Sequence, residues 1–134
     1  MFFWKKKEVV ERDPNAERRA EQSRISNSLD KAEDKVRGLQ NAAQYMRDDL
    51  RNGNLGAASY TARSGGFSHS VGAHLDTAEK HHRQDYRASE SYKSERESRA
   101  LAVQEIAKAS SFARADLRAA ADKAKELRQR LRDT

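Results

Sequence analysis

Four histidines, His69, His74, His81 and His82, stand close together and are the residues best suited to chemistry in this chain. On a helix His81 and Asp85 lie at i and i+4, a spacing at which an imidazole and a carboxylate can share a metal ion. His74 sits two turns before His81 on a similar face. No HExxH pattern accompanies them, and the chain has no Cys to supply a thiolate ligand. The expectation is therefore a set of partly exposed imidazoles, with His82 filling an apolar-seam position, and no bound metal. Between those readings lies a pH-sensitive contact, since an unperturbed imidazole titrates near neutrality.

The other candidates are weaker. Tyr86 and Tyr92 stand among Arg83, Arg87 and Lys93, an arrangement that can stack bases and contact phosphates. Asp85, Glu90, Glu95 and Glu97 cancel that charge, so a solvated helix face is expected. Gly65-Gly66 lacks the GxxxxGK[ST] pattern and the preceding strand of a phosphate-binding loop. The carboxylates are spread along helix surfaces, without the burial that raises a pKa for general acid catalysis. The expectation is a non-enzymatic protein with no cofactor and no small-molecule substrate.

A sharper electrostatic feature is the stripe Arg114, Arg118, Lys125, Arg128 and Arg132. Each residue follows an apolar-seam position by one, so the stripe flanks an apolar face. Flanking charges pair with acids on an opposing helix and select the partner. Alternatively they contact a phosphate backbone, giving salt-dependent binding without sequence readout. The formal charge is +6. Residues 114–134 carry +3 of it and residues 71–113 are neutral. That polarity is mild beside the dense block of a dedicated nucleic-acid arm.

The N-terminus reads Met1-Phe2-Phe3-Trp4-Lys5-Lys6-Lys7. It suits a segment folded back on its own helices, a plug in which Phe2, Phe3 and Trp4 dock into a protein neighbour, or an interfacial membrane anchor. Protein docking is the stronger of the two functional readings.

These residues must be positioned by helices. Ile25, Leu29, Ala32, Val36, Leu39, Ala43, Met46 and Leu50 recur at alternating spacings of four and three, the seam of a helix packed lengthwise on another. Asp13-Pro14 supplies a cap and a first-turn proline, and Gly53 a left-handed stop, so a helix is expected over 14–52. Residues 53–70 hold four of the six glycines and predict a long Gly-rich loop. From 71 to 133 the chain reads as helix, with Val71, Leu75 and Ala78 opening a seam. The same register returns as Val103, Ile106, Ala113, Leu117, Ala120, Ala124, Leu127 and Leu131. Leu101, Ala109 and Phe112 widen that face enough for two neighbours. Between the two runs, 85–99 is polar.

The expected fold is all-α, either an elongated helical hairpin or a three-helix bundle with coiled-coil-like packing. The polar gap denies residues 25–50 a full-length mate in a simple hairpin. Either the chain bends near 89–98 and 101–131 returns along the first helix, or the second helix stays straight and another chain completes it. The second arrangement is the leading expectation.

With 36% apolar and 36% charged residues, much of the apolar count alanine, the isolated chain has little large side chain to bury. A protein partner or self-association is expected, with nucleic acid as an alternative and a membrane surface as a weaker one. The functional expectation is a helical structural or assembly protein of a larger complex, such as a virion or a secretion machine. The partner-facing residues would be Phe2, Phe3, Trp4, Ile25, Leu29, Val36, Leu39, Val103, Ile106, Phe112, Leu117, Leu127 and Leu131. The absence of Cys and of any apolar run near 20 residues suits the cytoplasm, or packaging from it into a virion.

Overall fold

Asp13 and Pro14 start the first helix as their chemistry dictates. The computed structural model describes residues 13–87 and 92–134, with side chains described at 13–83 and 96–134. The Oδ1 of Asp13 accepts the Asn15 N–H at 2.9 Å, and proline follows in the first turn of α1, Pro14–Arg51. Gly53, at φ +74°, ends it, its N–H donating to the Leu50 carbonyl at 3.1 Å. The 38 residues of α1 form a rod, about 57 Å long at 1.5 Å per residue.

The expected loop at 53–70 contains a helix. α2 spans Leu55–Ser64, with the Asn54 side chain accepting the Ala57 N–H at 3.2 Å. Leu55, Ala58, Ser59 and Ala62 form its buried face. Of the four glycines in this stretch only Gly56 lies inside the helix; Gly53, Gly65 and Gly66 lie in the turns that bound it. Glycine density here marks two helix stops close together, not a length of irregular chain.

α3 spans His69–Arg87 and α4 spans Tyr92–Asp133. The predicted bend near 89–98 overlaps residues 88–91, which lie outside the described residues. α4 packs on both α3 and α1, so it returns along the molecule and does not continue α3 as a straight rod. That corrects the leading sequence expectation. The seam at 25–36 is covered from within the chain: Ile25 and Leu29 pack with Ala124 and Leu127, and Val36 and Leu131 close the cluster. The side chain of Arg18 donates to the Thr134 carbonyl at 2.6 Å, placing the start of α1 beside the end of α4.

Neighbours in the fold run α1–α2–α3–α4–α1, and the two diagonal pairs make no close backbone approach among the described residues. One end of the molecule is thus a four-helix section. Its core joins Leu39, Ala42 and Met46 of α1 to Ala58 and Ala62 of α2, Val71 and Leu75 of α3, and Ala109 and Ala113 of α4. The other end is an arm of two antiparallel helices, α1 and α4 alone. Bundle-like helix packing throughout matches the all-α expectation.

From Ile106 to Leu131 the expected α4 seam faces inward; the register departs from it only at the start, where Ala102 and not Val103 is buried. Ser98, Ala102, Ala109, Ala113, Ala120, Ala124 and Leu127 are buried, and Ile106, Leu117 and Leu131 are half-buried. Val103 is 65% exposed. From Ser98 to Ala120 the inward positions follow 4-4-3 spacing, an eleven-residue repeat that favours a slight right-handed twist over the left-handed one of a heptad seam. Alanine at 102 suits the close approach of α4 to α3, where it clusters with Ala78 and with the Leu55 side chain reaching in from α2, and the branched Val103 is turned outward. His82 is likewise exposed, not a seam residue, and Leu101 and Phe112 are 43% exposed, so only Ala109 widens the buried face.

Polar contacts fix the turns. Asp116 on α4 accepts the Ser68 N–H at 2.7 Å, tying the start of α3 to α4. Ser59 of α2 donates to Asp76 of α3 at 2.5 Å, and Arg63 of α2 forms an ion pair with the same carboxylate. Burial alone would raise the Asp76 pKa, but the Ser59 and Arg63 hydrogen bonds outweigh it and hold the carboxyl below its ordinary value of 3.8. A depressed folded pKa stabilises the fold above the ordinary value, and that contribution is lost as pH falls through the folded one. Asp76→Asn is therefore expected to lower the urea midpoint at neutral pH. The gap from wild type should narrow as pH drops below 3.8. A gap of constant size across that range would contradict the linkage.

Candidate interaction surface

The histidine and carboxylate groups build a helix junction. His74 Nδ1 of α3 lies 2.5 Å from Glu105 Oε2 of α4, and Lys108 reaches Glu105 at 3.3 Å. Phe112 stacks on the His74 ring at a centroid distance of 5.4 Å and an interplanar angle of 9°. The His74 hydrogen bond is the main cause holding the Glu105 carboxyl below its ordinary range, with Lys108 adding to it and burial opposing. Phe112, expected to face a partner, is thus half-committed to α3. His69 is exposed; His81 is half-buried, its Nδ1 enclosed without a hydrogen-bond partner among the described residues. The expected His81–Asp85 pair involves a side chain outside the described residues. Among the described residues no three His, Asp or Glu side chains group as metal ligands.

The apolar candidates divide. Ile25, Leu29, Leu39 and Leu127 are buried in the chain's own core, and Val36, Ile106, Leu117 and Leu131 are half-buried against it. Their first task is intramolecular packing. Phe2, Phe3 and Trp4 lie outside the described residues. No described helix is long and apolar enough to cross a membrane.

The basic stripe gains most from the fold. Arg114, Arg118, Lys125, Arg128 and Arg132 are all exposed. Arg128 crosses to Glu33 of α1 at 3.4 Å, the pairing expected of a flanking charge, and Arg132 bonds Gln129 on its own helix at 3.0 Å. Arg114, Arg118 and Lys125 have no ion pair among the described residues. Towards the four-helix section Arg114 shares a groove with Arg47 of α1. The groove holds about 180 Å³, and its other lining residues are Ala43, Met46, Leu50, Ser110, Ala113 and Leu117. Farther along the arm, Arg37 and Arg128 line one shallow depression with Glu33 and Val36. At that level Arg37 pairs with Asp34 and Arg128 with Glu33, so the two walls bring cations together without a lining acid only at Arg47 and Arg114.

Sequence reasoning overlooked the α1 wall, although the signal was available. Arg37, Arg47 and Arg51 follow the seam residues Val36, Met46 and Leu50 by one, the same offset that defines the α4 stripe. Two antiparallel helices sharing a seam bring such offsets to the same side. Arg47 bonds Gln44 at 2.9 Å and pairs with no acid among the described residues.

Chemically, the face can hold anions and can bury apolar side chains between its walls. No family model, curated protein or solved structure matches the chain.

Proposed function

We propose that this protein is a non-enzymatic helical module of a larger assembly, and that the α1/α4 face is where it meets an anionic macromolecular partner. One observation carries the reading: Arg47 and Arg114 line one groove from opposite helices, with no acid among the lining residues. Like charges that share a groove repel, and no acid among the described residues pairs with either arginine. A bound anion removes that repulsion and gains charge-assisted hydrogen bonds from both arginines.

The self-completed seam also shifts the expected docking mode. Seam residues at 25–36 and 124–131 are occupied within the chain, so the partner engages what flanks the seam. A virion or secretion-type complex remains the setting that suits a rod of this kind.

The test is retention on immobilised heparin, a generic polyanion. The wild-type chain is expected to bind at low salt and elute in a salt gradient. The Arg47→Glu/Arg114→Glu variant, with its helicity unchanged by circular dichroism, should elute much earlier. A wild-type chain passing straight through at low salt would refute the reading.

A further inference from the structure

The groove between Arg47 and Arg114 has a floor as well as walls, and the floor narrows the choice of partner. Met46 and Ala113 are buried at its base, while Ala43, Leu50 and Leu117 remain half-buried with their outer surfaces open to it. Its volume is about 180 Å³, against the void of about 150 Å³ that accepts a benzene-sized group. Nearer the start of α4, outside the groove lining, Val103 is 65% exposed and Ile106 half-buried. Half-buried Leu50 and Leu117 present apolar surface beside the two arginines.

We infer that this groove seats one amphipathic helix of a protein partner, with an acidic residue on each flank of its apolar edge. The inference rests on the anionic-partner reading above. Three features select a helix. The walls are two antiparallel helices, whose groove accepts a third helix in the manner of a bundle. The apolar floor matches side chains recurring at i, i+3, i+4 and i+7. The flanking arginines stand one position beyond seam residues on both helices, where coiled-coil partners place complementary acids. The arm shows that rule satisfied within the chain, at Arg128 and Glu33. At the groove level the chain offers Arg47 to Arg114, so the missing acids belong to another helix.

A nucleic acid is the competing occupant. Its phosphates would satisfy both walls but leave the aliphatic floor uncovered, and the groove lining holds no aromatic ring on which a base could stack.

The experiment is an NMR titration of the full-length ¹⁵N-labelled chain with a synthetic three-heptad helical peptide, leucine on its seam and glutamate on both flanks. Amide shifts are expected to concentrate at 43–51 and 103–118, and binding should weaken at least tenfold in Arg47→Glu/Arg114→Glu. The milder Arg47→Gln/Arg114→Gln pair should fall between the two, which guards against a folding defect in the charge-reversed chain. A peptide with lysine in place of glutamate should leave those amides unmoved. Any of three results overturns the inference: no shifts at millimolar peptide, equal shifts with the lysine peptide, or shifts caused by a short DNA duplex and not by the acidic peptide. Heparin retention without peptide binding would defeat this inference alone; loss of both would defeat the anionic-partner reading beneath it. Light scattering across a concentration series reads the remaining occupant. A dimer burying these same amides would place a second copy in the groove and overturn the partner assignment.

Discussion

Replacing Leu39 by alanine is expected to lower the unfolding free energy by about 2–5 kcal/mol, a range set by the loss of buried methylene contacts and the space left behind. Leu39 is 1% exposed and belongs to the cluster that joins all four helices. It also floors the cleft between α1 and α4 where the arm begins, opposite Ala120 and the Gly66 turn. Truncation there loosens the junction between the four-helix section and the arm. Domains of this kind are stable by only about 5–15 kcal/mol, so the loss is a large fraction of the total. The urea midpoint should fall with little change in slope, because the surface exposed on unfolding barely alters. Val103→Ala supplies the contrast. Val103 was expected in the seam and is 65% exposed, so its truncation should change stability by about 0.5 kcal/mol or less. A Val103→Ala loss as large as that of Leu39→Ala would refute the α4 register.

The contrast between Leu39 and Val103 shows how much of the fold is legible in the sequence. On α1 periodicity identifies most of the inward face, and only Ala42, buried off the seam where α1 also meets α2, escapes it. The Asp13-Pro14 start and the Gly53 stop are local chemistry, independent of anything distant. α4 is harder because it serves two neighbours, α3 at its start and α1 at its end. Its inward residues are mostly alanines, whose small burial gives periodicity little contrast. Register there is decided by which side chain is small enough to allow close approach, and a hydrophobicity pattern favours Val103 over Ala102 for the opposite reason. The α2 helix was hidden among glycines, of which Gly53 ends α1, Gly56 lies within α2 and Gly65 and Gly66 follow its end. The basic face was half legible: the α4 wall is visible in sequence, but only the antiparallel return of α4 brings Arg47 opposite Arg114. Glu33 opposite Arg128 depends on the same return.

α2 approaches α1 very closely at its C-terminal end, and Gly65 is where that contact can be tested. A Cβ added at Gly65 would lie 2.4 Å from the Ala42 Cβ and 2.8 Å from the Thr61 carbonyl oxygen. Neither neighbour yields easily. Ala42 is 5% exposed on a long helix, and the Thr61 carbonyl accepts the Gly65 N–H that closes α2, at 2.8 Å. Gly65 itself has φ −84°, a conformation alanine adopts freely, so backbone strain is not the issue. Steric overlap is. Gly→Ala substitutions gain about 0.4–1 kcal/mol by restricting the unfolded chain. Overpacking of a closed contact costs about 1–3 kcal/mol, so the clash should win and Gly65→Ala should destabilise. Gly38 provides the opposite sign in the same protein. It lies within α1 and its added Cβ meets nothing within 4 Å, so Gly38→Ala should stabilise by about 0.5–1 kcal/mol. A double-mutant cycle isolates the contact. Ala42→Gly removes the atom that Gly65→Ala strikes, and the pair should be less destabilised than the two single losses added together. Strict additivity would mean that α2 does not press on α1 at this point, and that the turn from α2 into α3 is set by something other than the fit of Gly65 against Ala42.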